Sequence, residues 1–514
     1  MARTKTNSIA EFGDFQTPPA LAARVCDLLH ALDVPAASIV EPTCGRGAFL
    51  LAAAERWPAA HRLVGFDVNS AHLDAARAVI ESRGLRQRVS VETSDFFKVH
   101  WPSRLADLPE PVLLIGNPPW VTNSHVSAIG GSNLPQKSNF QGHNGFEAIT
   151  GKANFDISEW MLLQLAEAVK DRRATIAMLV KTAVARKVLQ HSWKHSFPIS
   201  EASLFQIDAM GHFDAAVDAV LMVLRFGTPS GRSHARVYGQ LATTIRPIAT
   251  IGFAGSTLIA DLEAHEQTQH LVGASPVKWR SGIKHDCSKV MELQREGNGY
   301  RNGLRQFVEL EPTYLFPMLK TSEVANGNTR CTRWMVVPQR RIGEDTDEIE
   351  RLAPNTWRYL QRYADLLAKR GSSIYRGKPQ FSIFGVGEYS FAPWKVAISG
   401  LYKSLQFTKI GSCEGKPVVL DDATNFLPCS TEEAADFVLE LLDSALAKSF
   451  FRAHIFWDAK RPVTVDLLSR LNLRALASDL RLKSTFDRLF GEATASRPAA
   501  RRHPREPVDA PTLW

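Results

Sequence analysis

The sequence predicts an α/β fold: a doubly wound, mostly parallel sheet ending in an antiparallel hairpin, followed by a C-terminal α+β domain. Three observations predict it. Up to about residue 228, short aliphatic runs alternate with segments whose apolar residues recur at three- and four-residue spacing. Glycines and polar residues stand at the ends of successive strands, where an open α/β sheet forms its crevice. Beyond residue 230 the alternation stops, and strands, helices and aromatic-basic loops mix.

The elements follow in order. "SIV" (38–40) reads as the first strand, before a Gly-containing turn and the helical "AFLLAAAERW". "RLVGFD" (62–67) precedes the helix "AHLDAARAVIESRG", and "RVSVETSDFF" (88–97) follows. "PVLLIGN" (111–117) runs into "NPPW", where two adjacent prolines without N–H groups stop the strand in a stiff turn. A polar insert from Val121 to Asn154, rich in Gly, Asn and Ser, is expected to be a mobile segment that orders on substrate, with Phe140 inside it. "FDISEWMLLQLAEAVKD" (155–171) reads as a helix, and "ATIAMLVK" (174–181), "ASLFQID" (202–208) and "AVLMVLRFG" (219–227) as strands. The short gap between the last two leaves no room for a helical crossover, so they form the terminal hairpin. Residues 431–450 and 464–490 read as helical, and the Pro- and Arg-rich tail as disordered. The expected domains are 1–230, 231–420, a helical part at 421–496, and the tail at 497–514.

Bulk properties narrow the function. Hydrophobic content of 45% and charged content of 22% are those of a globular protein, and no run approaches the length of a membrane span. The six cysteines are scattered, with no zinc-type spacing among Cys and His, so no metal is expected and a cytosolic protein is. The net charge is +8. Between Val272 and Ile410 stand 22 Lys and Arg against 13 Asp and Glu, so this stretch carries the excess. A polyanionic partner would bind there.

Four strand ends carry polar residues in register: Glu41, Gly45 and Gly47; Asp67; Asp95 and Phe96; Asn117 and Trp120. Gly45 and Gly47 let a ligand approach the backbone. A carboxylate at Asp67 can accept from both ribose hydroxyls. Asp95 can accept from an adenine amine, and Phe96 can offer its backbone N–H to a ring nitrogen. The turn has GxG rather than GxGxxG, which disfavours a pyrophosphate. Ribose and adenine without phosphate point to S-adenosylmethionine. Alone, each feature has a plainer reading: a tight turn, or a helix cap.

In order, "TPP", "EPTCGRGAF", "FDVN", "SDFF" and "GNPPW" resemble the motifs of the gamma-type N6-adenine DNA methyltransferases of restriction–modification systems. That family has a Rossmann-like sheet. "WRSGIKHDCSK" and "FSIFGVGEYSFAPWKVAISGLYK" are similar to its recognition-domain segments. The resemblance implies Thr17 and Glu41 near the methionine end of the cofactor, Asp67 on the ribose, and Asp95 with Phe96 on the adenine. It implies duplex DNA as substrate and, as a separate chain, a restriction endonuclease. It also implies a cytoplasmic, nucleoid-associated protein.

The NPPW stretch then has a chemical purpose. Asn117 Oδ1 and the Pro118 carbonyl can accept from the two N–H bonds of an exocyclic amine, freeing its lone pair toward a methyl. Trp120 offers a π-face to a base flipped out of the duplex, and Phe213 is the candidate for a second face. Lys278, Arg280, Lys284, Arg376, Lys378, Lys395 and Lys403 are the candidate DNA contacts in the second domain. An N4-cytosine, RNA or protein-glutamine substrate fits the same tetrad, and a non-catalytic DNA-binding scaffold is a further alternative.

Overall fold

The computed structural model describes residues 16–121, 156–227, 233–243 and 246–491. The chain divides into two units, Met1–Glu263 and Ala264–Trp514. The polar insert beyond Val121, Phe140 with it, and the tail at 497–514 lie outside the described residues.

The first unit opens with α1 (Pro19–Ala31), β1 (Ser38–Glu41), α2 (Ala48–Arg56), β2 (Arg62–Asp67), α3 (Ser70–Ser82), β3 (Val89–Thr93), α4 (Trp101–Ala106) and β4 (Val112–Gly116). It continues with α5 (Ile157–Val169), β5 (Ala174–Lys181), α6 (Thr182–Lys194), β6 (Ile199–Ile207), α7 (Ala209–Phe213) and β7 (Ala219–Phe226). Three short strands close it: β8 (His234–Tyr238), β9 (Ala249–Ala254) and β10 (Thr257–Ile259).

All ten strands form one sheet, in the order β10-β9-β8-β6-β7-β5-β4-β1-β2-β3. From β3 to β5 the neighbours are parallel. The chain reverses at β7, which lies antiparallel to both β5 and β6. β1 and β4 are buried along their whole length. Parallel strands covered on both faces read as unbroken aliphatic runs, which is why "VLLIG" is legible.

The hairpin of β6 and β7 is therefore real, but it is not terminal. β8 pairs parallel to β6, Ser203 opposite Arg236, and β9 and β10 continue the sheet. The sheet runs past the expected boundary at 230, as far as Ile259. These strands are three to six residues long and half-buried, so their alternation is too brief to read.

The second unit holds a six-stranded and a four-stranded sheet. The six-stranded sheet is largely antiparallel and includes Glu292–Glu296, Leu315–Leu319 and Arg333–Val336. The four-stranded sheet centres on Trp394–Ser399, paired with Thr424–Cys429. The C-terminal helices, among them Glu432–Asp443 and Ala445–His454, are not a separate layer. Phe437, Leu441, Phe450 and Phe451 share one core with Val396, Ile398 and Leu427 of those two strands.

Candidate functional site

The site begins at the end of β1. Glu41 is 3% exposed, and its Oε2 accepts from the Leu50 N–H at 3.2 Å. Burial holds this carboxyl well above the usual carboxylate range; the Leu50 N–H pulls the other way, and Asp67 adds to the rise. The turn after it needs its glycines. Gly45 and Gly47 have φ of +50° and +77°, a region that other L-residues enter only with strain. Gly47 is also the N-terminal flank of α2.

β2 supplies Asp67. Its Oδ2 accepts from the Gly45 N–H at 2.8 Å and its Oδ1 from the Asn69 N–H at 2.8 Å. The plain reading of Asp67 as a helix cap does not hold: Asn69 caps α3, accepting from the Ala71 N–H. The Cys44 N–H donates to the Phe66 carbonyl at 2.7 Å, so the glycine turn is tied to β2 twice. Burial and the two nearby carboxylates push the Cys44 thiol up, which keeps it inert.

Asp95 is a local cap. Its Oδ1 accepts from the Phe97 N–H at 3.1 Å, and Oδ2 lies 3.4 Å from Lys98 Nζ. Its side chain keeps 20% exposure. The Phe96 ring is buried, 4.7 Å from that of Trp101.

β4 delivers the NPPW turn. Asn117 is half-buried, with its Oδ1 inside, and Pro118 is buried. Trp120 is 5% exposed, and its indole N–H donates to the Leu179 carbonyl on β5 at 3.1 Å. Its ring meets Phe213 of α7 edge to face, with centroids 5.1 Å apart and planes at 68°. Two plates that sandwich a base must face each other with room for its ring between them. Edge to face, the two rings leave no slot for a base between them, so they are not the expected pair of facing plates; both belong to the core of this unit.

Several residues escaped the sequence reading. Gln16 Oε1 accepts from the Arg46 N–H at 3.2 Å, and a Cβ at Gly45 would stand 2.6 Å from that oxygen. Thr17, expected from the sequence, follows it, half-buried, in the lead into α1. Trp160 on α5 lies 5.4 Å from the Phe97 ring beside Asp95. Lys181 ends β5 and pairs with Asp156 at 2.7 Å. The one available signal was Asp156, a cap residue directly before an amphipathic run.

The chain is similar to the type II methyltransferase M.NspV of Nostoc sp., 43% identical over 472 residues, which are 91% of this chain and 97% of that protein. The chain belongs to the type II methyltransferases. No family model matches it. Its fold is similar to that of the type IIL restriction–modification enzyme MmeI in complex with DNA. There the TM-score is 0.51 at 14% identity, over 90% of this methyltransferase and 64% of the MmeI chain.

In the second unit of the methyltransferase, the seven basic candidates separate. Lys278, Arg376, Lys378 and Lys403 are exposed. Arg280 lies over the Tyr389 ring, 4.5 Å from its centroid, and Lys284 stands 3.6 Å from Asp286. Lys395 is a correction. It is 1% exposed and donates to the Ala392 carbonyl at 2.7 Å. Desolvation brings its pKa down to about 7. It stands on a strand buried on both faces, so it reaches no phosphate. Among the described residues, no cluster of His, Cys, Asp and Glu could hold a metal, and no helix is long and apolar enough to cross a membrane.

Proposed function

We propose that the chain is a site-specific DNA methyltransferase acting on the N6 amine of adenine in duplex DNA, with the target base flipped out of the helix. The observation that carries the reading is the placement of Asn117 and Pro118 directly after β4, in the same sheet as the Glu41, Gly45 and Asp67 cradle on β1 and β2.

The donor set fits S-adenosylmethionine. Carboxylates at Glu41 and Asp67 suit a cation and a ribose, and the GxG turn lies tight on Asp67. When bound, that cofactor supplies an electrophilic methyl on a sulfonium. Asp67 would hold the ribose, Glu41 and Thr17 the methionine end, and Asp95 with Phe96 the adenine. Asn117 Oδ1 and the Pro118 carbonyl accept from the two N–H bonds of the target amine. The nitrogen lone pair then points away from the ring, along the line of transfer, and the extra proton leaves to water. Trp120 takes one face of the flipped base. The basic surface of the second unit holds the duplex. A separately encoded restriction endonuclease and a place on the bacterial nucleoid follow from the same reading.

Asn117→Ala tests it. The variant should lose about a hundred- to a thousandfold in rate while cofactor and DNA affinity stay near wild type. Mass spectrometry of digested DNA should find N6-methyladenine in the wild-type product. N4-methylcytosine there would overturn the choice of base, and label in RNA alone the choice of duplex DNA.

A further inference from the structure

The two prolines of NPPW stiffen its own backbone, but they do not aim it at anything. β5 does. The Trp120 indole N–H donates to the carbonyl of Leu179 at 3.1 Å. The next residue, Val121, accepts at its carbonyl from the N–H of Ile157, the first residue of α5, at 2.9 Å. Asp156 stands just before that helix and caps it, with Oδ1 accepting from the Ser158 N–H at 3.2 Å and the Ser158 hydroxyl at 2.5 Å. Its other oxygen, Oδ2, accepts from Lys181 Nζ at 2.7 Å. The side chains of this pair are 22% and 10% exposed, so removing the cation strands a carboxylate that water reaches poorly.

Two residues of β5, Leu179 and Lys181, thus hold the far end of the turn by two routes. One runs through an indole. The other runs through an ion pair, a helix cap and a backbone hydrogen bond. We propose that Lys181 is a positioning residue: acting through Asp156 and the start of α5, it holds the Asn117–Trp120 turn in its reacting geometry. This rests on the reading of NPPW as the reacting turn. Lys181 itself touches no reacting atom in this scheme. Its effect should therefore fall on turnover and leave cofactor binding alone.

The test uses the full chain and the variants Lys181→Met, Lys181→Arg and Asp156→Asn. Asn at 156 keeps the cap oxygen and loses the charge. Two readouts are taken: methyl transfer to duplex DNA, and hydrogen exchange of peptides covering 113–121 and 157–165. Lys181→Met should lower kcat by up to about a hundredfold, the scale for misplacing a reacting group, with calorimetric cofactor affinity unchanged. Exchange should rise in both peptides. Lys181→Arg should restore both readouts. The double variant Lys181→Met/Asp156→Asn should be no slower than the worse single one, because both act through one pair. Wild-type exchange in Lys181→Met would overturn the proposal, and so would loosened exchange with an unchanged kcat. If wild-type chain moves no methyl to DNA while exchange still responds to Lys181→Met and is rescued by Arg, the function reading falls and the brace stands.

Discussion

At the scale of single residues, burial decides which charges can act. Glu41 is nearly inaccessible, and its carboxyl titrates well above the usual range because of that burial. Its raised native pKa means that the fold favours the protonated form. That contribution is complete below the unfolded value and is lost as pH climbs through the native one. Glu41→Gln keeps an acceptor for the Leu50 N–H and cannot ionise. It should raise the melting temperature by about 2–4 °C per kcal/mol gained, with a gap over wild type that opens as pH rises above the ordinary glutamate value. Cofactor binding should weaken. A cation placed beside Glu41 lowers its pKa, so wild-type binding should release protons and tighten with pH. Calorimetry in two buffers of different ionisation heat reads that release, and Glu41→Gln should abolish it. Lys395 shows the opposite sign. Its native pKa is lowered to about 7, so the unfolded chain binds the extra proton between there and the ordinary lysine value, and stability rises with pH across that window. Lys395→Met should stabilise most below pH 7, with the advantage shrinking toward pH 10 in melting curves. Asp67 and Asn117 were legible because each ends a strand in an ordered series. Lys395 was misread because a lysine beside aromatics is usually a surface charge, and only the strand pairing on either side shows that it is not.

At the scale of elements, β2, β4 and β5 were legible because buried parallel strands read as aliphatic runs, and the edge strand β3 from its Val89–Val91 alternation. β8 to β10 were not, because short half-buried strands at a sheet margin carry little alternation. The helices at 431–450 and 464–490 were legible from their apolar spacing, whereas their packing onto the Trp394–Ser399 strand needed the tertiary structure. A similar limit applies to two segments of the second unit. "WRSGIK" and "FSIFGVG" meet: the Lys284 N–H donates to the Phe384 carbonyl at 2.8 Å, and the Phe384 N–H donates back at 2.9 Å. Gly282 lies so close to the next backbone that a Cβ would stand 2.1 Å from the Asp421 carbonyl oxygen and 2.4 Å from that of Leu420. At Gly385, with φ of +68°, a Cβ would stand 2.3 Å from the Gly282 carbonyl oxygen. Backbone on both sides cannot move aside as a side chain can. Gly282→Ala should therefore cost about 3 kcal/mol or more, the upper end for overpacking, read as an earlier denaturant transition of the second unit. Unchanged stability would show that the segments can part without loss.

At the scale of the whole molecule, the basic excess is uneven along the chain. The stretch 272–410 carries 22 Lys and Arg against 13 Asp and Glu. Not all of those cations can meet a phosphate. Lys395 is buried, whereas Lys278, Arg376, Lys378 and Lys403 are exposed. If the second unit grips duplex DNA, each exposed cation that replaces a condensed counterion steepens the fall of affinity with salt by about 0.9 in the log–log slope. Arg376 and Lys378 flank Gly377, whose φ of +66° turns the chain between them. The double variant Arg376→Ala/Lys378→Ala should then weaken binding to cognate and unrelated duplexes alike, and make the slope shallower by about 1–2. Lys395→Met is the internal control. It removes a lysine from the same stretch but from a position that no phosphate can approach, so its slope should equal that of wild type. Fluorescence anisotropy at several salt concentrations measures all three. Equal slopes in the double variant and wild type would move the DNA contact away from this turn. A shallower slope in Lys395→Met would mean that the buried strand opens on binding. Net charge alone cannot make this distinction, because it counts Lys395 and Lys378 as equals; only their burial separates a cation that stabilises or strains the fold from one that can release a counterion.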